Sequence, residues 1–202
     1  MRLSGLYLVT QYPRTSEFLR KTEEALNAGV DILQLRDKSG NPDSIRTVGT
    51  ELNRLCSKYG VPLIINDFPD IYRQIGADGF HMGLTDGDIE AARRNYQDAI
   101  IGASAECDMD YALRISGFVD YVAFGPFFPT HSKEDVRMCN QNILTRIPEM
   151  GDKPSFAIGG ITPENAVALL EYGISGVAVI SSVYESPDPA GAVASFRKIL
   201  SR

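Results

Sequence analysis

Residues 31–67 read DILQLRDKSGNPDSIRTVGTELNRLCSKYGVPLIIND, and the punctuation of this stretch decides the fold. An apolar run at Asp31–Arg36 has the two-residue period of a strand. A polar turn follows, then Ser44–Tyr59 with apolar residues at helical spacing. Gly60 marks the helix stop, because glycine accepts the left-handed cap without a Cβ penalty. A second apolar run, Pro62–Asp67, comes next. Strand, helix and strand with short joints form a parallel crossover unit.

The same unit recurs in both directions. Strand signals fall at Leu6–Thr10, Gly79–Gly83, Ala99–Ser104, Tyr121–Pro126, Ser155–Gly160 and Gly176–Ser181 as well. Helix signals lie between them at Glu17–Ala28, Asp70–Ile75, Asp88–Tyr96, Asp110–Ile115, Ile143–Glu149 and Glu164–Tyr172, and Ala190–Leu200 closes the chain. Gly29, Gly76 and Gly173 stop helices as Gly60 does. Strict alternation predicts a parallel sheet, and eight units are the number that closes one. The expectation is an α/β chain folded as one (β/α)8 TIM barrel, a single domain over residues 1–202. An open doubly wound sheet is the alternative, and it would need fewer strands and a topological switch point.

Composition narrows the function. The chain has 202 residues, 44% hydrophobic and 23% charged, which suits a packed globular core. Its formal charge of −6 argues against nucleic acid and anionic membranes as partners. Anionic ligands must then be met by donors gathered locally. Cys56, Cys107 and Cys139 show no metal spacing, and free thiols in a reducing compartment are expected. The Met1–Gly5 start lacks a signal-peptide pattern, and no apolar run reaches the ~18 residues of a membrane span. The expected setting is the cytoplasm, with self-association into a homo-oligomer left open.

In such barrels chemistry gathers where strands run into the following loops. Alternation along strand two turns Leu33 and Leu35 outward, leaving Gln34 and Arg36 inward with Lys38 just above. These groups form either an anion clamp or an internal ion pair with a neighbouring strand. Strand three ends in Asn66-Asp67, and Asp86 follows strand four. The two carboxylates could share a magnesium ion, which takes one or two carboxylates plus water and phosphate oxygens. Read singly, Asp86 is a helix cap and Asp67 a turn residue. Loop six carries Thr130, Ser132 and Lys133, either an oxyanion cradle or a solvated loop, with His131 expected to be exposed. Beyond strand seven, Gly159-Gly160 allows close backbone approach, Thr162 can cap a helix and Pro163 suits its first turn. With Ser181 after strand eight, this is the recurrent phosphate site of such barrels. Two anion sites and a divalent cation suit the joining of two phosphorylated substrates.

Read together, these residues resemble the thiamine phosphate synthase and TenI-like family almost end to end. The likeness is carried by Gln34-Leu35-Arg36-Asp37-Lys38, Gly60–Asp67, Ile75–His81, Gly102-Ala103-Ser104, Phe124-Gly125-Pro126 with Pro129–Lys133, and Ala157–Pro163. The resemblance implies a transferase that joins a hydroxymethylpyrimidine diphosphate to a thiazole phosphate and releases pyrophosphate. It implies that Gln34, Arg36, Lys38 and Asn66 hold the pyrimidine diphosphate, with Ser104 and Lys133 reaching the diphosphate. It further implies Mg²⁺ on Asp67 and Asp86. Thr130 and Ser132 would contact the thiazole phosphate, with Gly160, Ile180 and Ser181 supplying donors around it. Arg36, Ser104 and Lys133 are the expected catalytic groups.

The chain also departs from that pattern. Leu84 stands where the family usually has glutamine, and Val136–Cys139 lacks the usual small-residue run. A TenI-like thiazole tautomerase would carry a histidine after strand five, where this chain has Glu106. That tautomerase, and a catalytically silent paralogue that binds the pathway's ligands, are the alternatives. Loop six is long enough to form a lid.

Overall fold

The computed structural model describes residues 3–10, 15–131, 137–140 and 142–201. Eight parallel strands close a barrel in sequence order. They are β1 (Gly5–Val9), β2 (Ile32–Leu35), β3 (Leu63–Asn66), β4 (Gly79–Met82), β5 (Ile100–Glu106), β6 (Tyr121–Phe124), β7 (Ser155–Ile158) and β8 (Gly176–Val179). The ring closes through β1 and β8, with Gly5 opposite Gly176 and Leu8 opposite Val179. Each predicted strand is present within about two residues at either end, and the open-sheet alternative is excluded.

Helices α1 (Ser16–Asn27), α2 (Pro42–Tyr59), α3 (Pro69–Ile75), α4 (Ile89–Asn95) and α5 (Met109–Ile115) cover the first half. Helices α6 (Asn142–Thr145), α7 (Pro163–Leu170), α8 (Ser181–Tyr184) and α9 (Pro189–Leu200) complete the coat. Strand alternation sorts the core into two layers. Leu33, Leu35, Leu63, Ile65, Ile101 and Val177 face the helices in the larger cluster. Tyr7, Val9, Ile32, Ile64, Tyr121, Phe156 and Ala178 fill the barrel interior. Gly60 and Gly76 end α2 and α3 in the left-handed conformation, as the sequence led one to expect.

Three local readings need correction. The helix expected over Ile143–Glu149 is the single turn of α6 followed by a 3-10 turn at Ile147–Met150. Pro148 has no N–H to give and its ring would strike the carbonyl of the preceding turn. Helix α8 was not foreseen, because four residues are too few to show a period. Cys107 and Cys139 are joined as a disulfide, so of the three cysteines Cys56 alone is a free thiol. Their pairing is hidden in sequence by a separation of 32 residues, yet β5 and β6 are neighbours. The Cys139 N–H donates to the Pro126 carbonyl (2.7 Å), which seats it beside the end of β5 where Cys107 lies.

The N-terminal end of the barrel is laced by a repeated device. The residue before each even strand accepts from a backbone N–H of the preceding strand. Asp31 takes Leu6 N (2.7 Å), Asp78 takes Leu63 N (2.8 Å) and Asp120 takes Ile101 N (2.7 Å). Ser175 takes Ser155 N (3.1 Å) in the fourth position. Polar groups at this end hold the strands, which leaves the opposite end for ligands. Among the described residues no helix is long and apolar enough to cross a membrane.

Candidate active site

A cavity of about 490 Å³ opens at the C-terminal ends of the strands, a size suited to small-molecule ligands. Gln34, Arg36, Asn66, Asp67, Asp86, Ser104, Thr130, Gly160, Ile180 and Ser181 all line it. Lys38 is exposed beyond β2 and outside this lining. Ser132 and Lys133 lie outside the described residues. His131 is exposed, as expected.

On the first side, β2 delivers Gln34 and Arg36. The loop after it is pinned to β1 by mutual bonds, with Thr10 N donating to the Gln34 carbonyl (2.9 Å) and Arg36 N donating to Thr10 Oγ1 (2.9 Å). Asp67 leaves β3 with a φ of 62°, a left-handed conformation that a non-glycine residue seldom adopts. Its N–H donates to the His81 carbonyl (2.9 Å), which turns its carboxylate toward the loop after β4. There the Asp86 carboxylate accepts from Gly83 N (2.6 Å). The helix-cap reading of Asp86 does not hold: Asp88 caps α4, accepting from Glu90 N (2.9 Å) and Ala91 N (3.1 Å).

Asp67 and Asp86 meet in a carboxyl–carboxyl contact. Desolvation, that contact and the charge of Asp86 push the Asp67 carboxyl up to about 7, while Arg36 opposes the shift. Two carboxylates held this close repel one another unless a proton or a cation lies between them. Among the described residues no three or more His, Cys, Asp or Glu side chains are placed to hold one metal ion together. This donor set fits an ion that takes two carboxylates and finishes its shell with water and substrate oxygens, as Mg²⁺ does.

On the opposite side, Gly159 and Gly160 follow β7 with positive φ values of 98° and 59°. The first residues of loop six pack against them, with Phe127 N donating to the Ile158 carbonyl (3.2 Å) and Phe128 N to the Gly159 carbonyl (3.1 Å). A Cβ on Gly160 would lie 2.3 Å from the Pro129 carbonyl oxygen. The close backbone approach read from the diglycine is therefore made partly by loop six. Thr162 and Asn165 form the capping box of α7, with Pro163 in its first turn. Ile180 precedes α8, whose first residue Ser181 faces the cavity beside Gly160.

The cavity floor is polar in a way the sequence reading missed. Gln34 Nε2 donates to Tyr7 OH (2.7 Å), and the Tyr7 and Tyr121 hydroxyls are 2.6 Å apart. Tyr121 OH lies 3.1 Å from His81 Nδ1, and His81 Nε2 lies 2.8 Å from Ser104 Oγ. Burial holds both phenols well above their usual pKa and takes His81 down to about 4. The alternation used for β2 would have found His81, since in Gly79-Phe80-His81-Met82 it points inward opposite Phe80.

The family model described as thiamine monophosphate synthase matches residues 6–183. The chain belongs to the thiamine monophosphate synthase family. Among family members it is 42% identical to a thiamine-phosphate synthase of Picrophilus torridus, over 99% of this chain and all of the relative. It is 39% identical to a thiamine-phosphate synthase of Thermoplasma acidophilum, covering 98% of this chain and 93% of the relative. A solved thiamine phosphate pyrophosphorylase from Pyrococcus furiosus superposes with a TM-score of 0.86 at 31% identity, covering 98% of this chain and 95% of that one.

Proposed function

We propose that this chain is a transferase that condenses hydroxymethylpyrimidine diphosphate with hydroxyethylthiazole phosphate, giving thiamine phosphate and pyrophosphate. The observation that carries the reading is the division of one cavity. Arg36 and the Asp67–Asp86 pair occupy one side, and Gly160 with Ser181 the other, in a chain that covers its thiamine-phosphate synthase relatives nearly end to end. One phosphorylated substrate would leave one of these sides without an occupant. In this reading the 202 residues act as one domain.

The reaction breaks the bond between the pyrimidine methylene carbon and the diphosphate oxygen, and the electron pair leaves with pyrophosphate. The electron-rich pyrimidine carries the positive charge that develops on the methylene carbon. The thiazole nitrogen then gives its lone pair to that carbon, and no proton need move. A protein nucleophile is not required. Arg36 and Ser104 face the leaving group, where fixed donors count most as charge develops. Asn66 and Gln34 position the pyrimidine, and Lys38 approaches the diphosphate from the rim. Gly160, Ile180, Ser181 and Thr130 surround the thiazole phosphate, which fixes the nitrogen for attack. Ser132 and Lys133 enter this reading from the sequence alone. Asp67 and Asp86 would hold Mg²⁺, which when bound supplies charge neutralisation for the departing pyrophosphate.

Purified protein with Mg²⁺ should form thiamine phosphate only when both substrates are present. Isomerisation of a thiazole carboxylate without the pyrimidine would instead assign the TenI-like activity. Binding of both ligands without turnover would assign the silent paralogue.

A further inference from the structure

The five polar side chains under the cavity form one line of hydrogen bonds, and its two ends differ. It runs Gln34, Tyr7, Tyr121, His81, Ser104, drawn from β2, β1, β6, β4 and β5 in turn. A phenol has one hydrogen to give. Tyr7 accepts from the Gln34 amide, so its own hydrogen goes to the Tyr121 oxygen. The Tyr121 hydrogen then goes to His81 Nδ1, which must accept. A neutral imidazole with an accepting Nδ1 carries its hydrogen on Nε2, and Nε2 faces Ser104. Ser104 Oγ therefore accepts from below, and its own hydrogen is left to point into the cavity.

We propose that His81 is a positioning residue: held as the Nε2–H tautomer by the two tyrosines, it makes Ser104 a hydrogen-bond donor toward the diphosphate. This rests on the reading of Ser104 as a diphosphate ligand.

The chemistry explains why polarity matters. A diphosphate presents acceptor oxygens, so a serine whose hydrogen went to His81 would turn lone pairs toward an anion. Fixing the direction before substrate arrives leaves no reorganisation for the moment of reaction. The line is also built rigidly. A Cβ on Gly102 would fall 2.0 Å from Tyr121 Cζ, so the ring occupies space that glycine leaves open. Tyr121 packs edge-on against the rings of Tyr7 (5.6 Å) and Phe156 (5.5 Å). Gln34, Tyr7, Tyr121 and His81 are all buried, and Tyr121, at the centre of the line, lies behind the cavity lining.

The chain has two histidines, so ¹⁵N-histidine-labelled protein shows two imidazoles, and the His81 pair is the one lost in His81→Gln. The expected spectrum of the whole protein at neutral pH has a pyridine-like Nδ1 and a pyrrole-like Nε2 for His81. Tyr121→Phe keeps the ring and removes the donor to Nδ1. It should admit the other tautomer and lower kcat about tenfold, with the KM for thiazole phosphate unchanged. His81→Gln can still offer an N–H to Ser104 and should retain more kcat than His81→Leu. A wild-type Nδ1–H tautomer would overturn the polarity, and equal kcat for His81→Gln and His81→Leu would overturn the positioning role. Wild-type kcat in Ser104→Ala would overturn the reading of Ser104 and the positioning role with it. That failure is distinct, because the tautomer would still be Nε2–H.

Discussion

Asp67 bears the largest conformational demand among the site residues, with its left-handed backbone at the end of β3 and its carboxylate against Asp86. A proton shared with Asp86 accounts for the contact, and a cation could take the place of that proton. Asp67→Asn and Asp86→Asn should each lower Mg²⁺-dependent kcat/KM on the order of 10²-fold or more. Above the raised pKa of Asp67, at about pH 8, neither should reduce the thermal stability of the metal-free protein, because each then removes one of two repelling charges. Unchanged turnover at limiting Mg²⁺ would contradict the assignment. In the proposed function Arg36 meets the diphosphate, so Arg36→Ala should weaken pyrimidine diphosphate binding by roughly 1.5–3 kcal/mol in calorimetry. Thiazole phosphate binding should be unaltered, and equal losses for both ligands would mean one shared anion site. Arg36 and Asp67 were legible because each follows a strand whose alternation is plain, as in Leu33-Gln34-Leu35-Arg36, and Asp86 because it lies in the loop after the neighbouring strand. Alternation places His81 inward, but its link to Tyr121 and Tyr7 was not legible, because a lone polar residue in an apolar strand gives no hint of its partner on another strand. Three residues joined in one line come from three strands far apart in the chain.

Loops five and six show what element-level reading can and cannot reach. The strand and helix periods located every strand and the longer helices, whose apolar faces repeat over two turns or more. Helix α8 and the break at Pro148 lie below that length. The Cys107–Cys139 link depends on two neighbouring loops meeting, which only the closed barrel brings about. It ties the end of β5 to the last residues of loop six before α6, on the side of the cavity where Glu106 lies. Thiol titration tests it directly. Cys56 is buried, and burial, aided by the charge of Asp78, pushes its thiol up to about 12. Native protein without reductant should therefore show no rapidly reacting thiol, unfolded protein one, and unfolded reduced protein three. Three thiols without reductant would show that the link does not form. Replacing both cysteines by serine should cost roughly 3–4 kcal/mol of stability, from the freedom regained by the 32-residue loop in the unfolded chain.

Across the whole molecule the two ends of the barrel have separate tasks. Asp31, Asp78, Asp120 and Ser175 fasten strand to strand at one end. At the other end Arg36, Asp67, Asp86, Ser104, Gly160 and Ser181 converge on one cavity. In the proposed function that frame holds two anion sites at a fixed separation, which a condensation of two phosphorylated substrates needs. The most direct test of that claim is a ³¹P NMR time course with both substrates and Mg²⁺. Pyrophosphate should grow in step with thiamine phosphate, one for one, while the thiazole phosphate ester is carried intact into the product. Pyrophosphate without thiamine phosphate, or release of inorganic phosphate from the thiazole ester, would contradict the account.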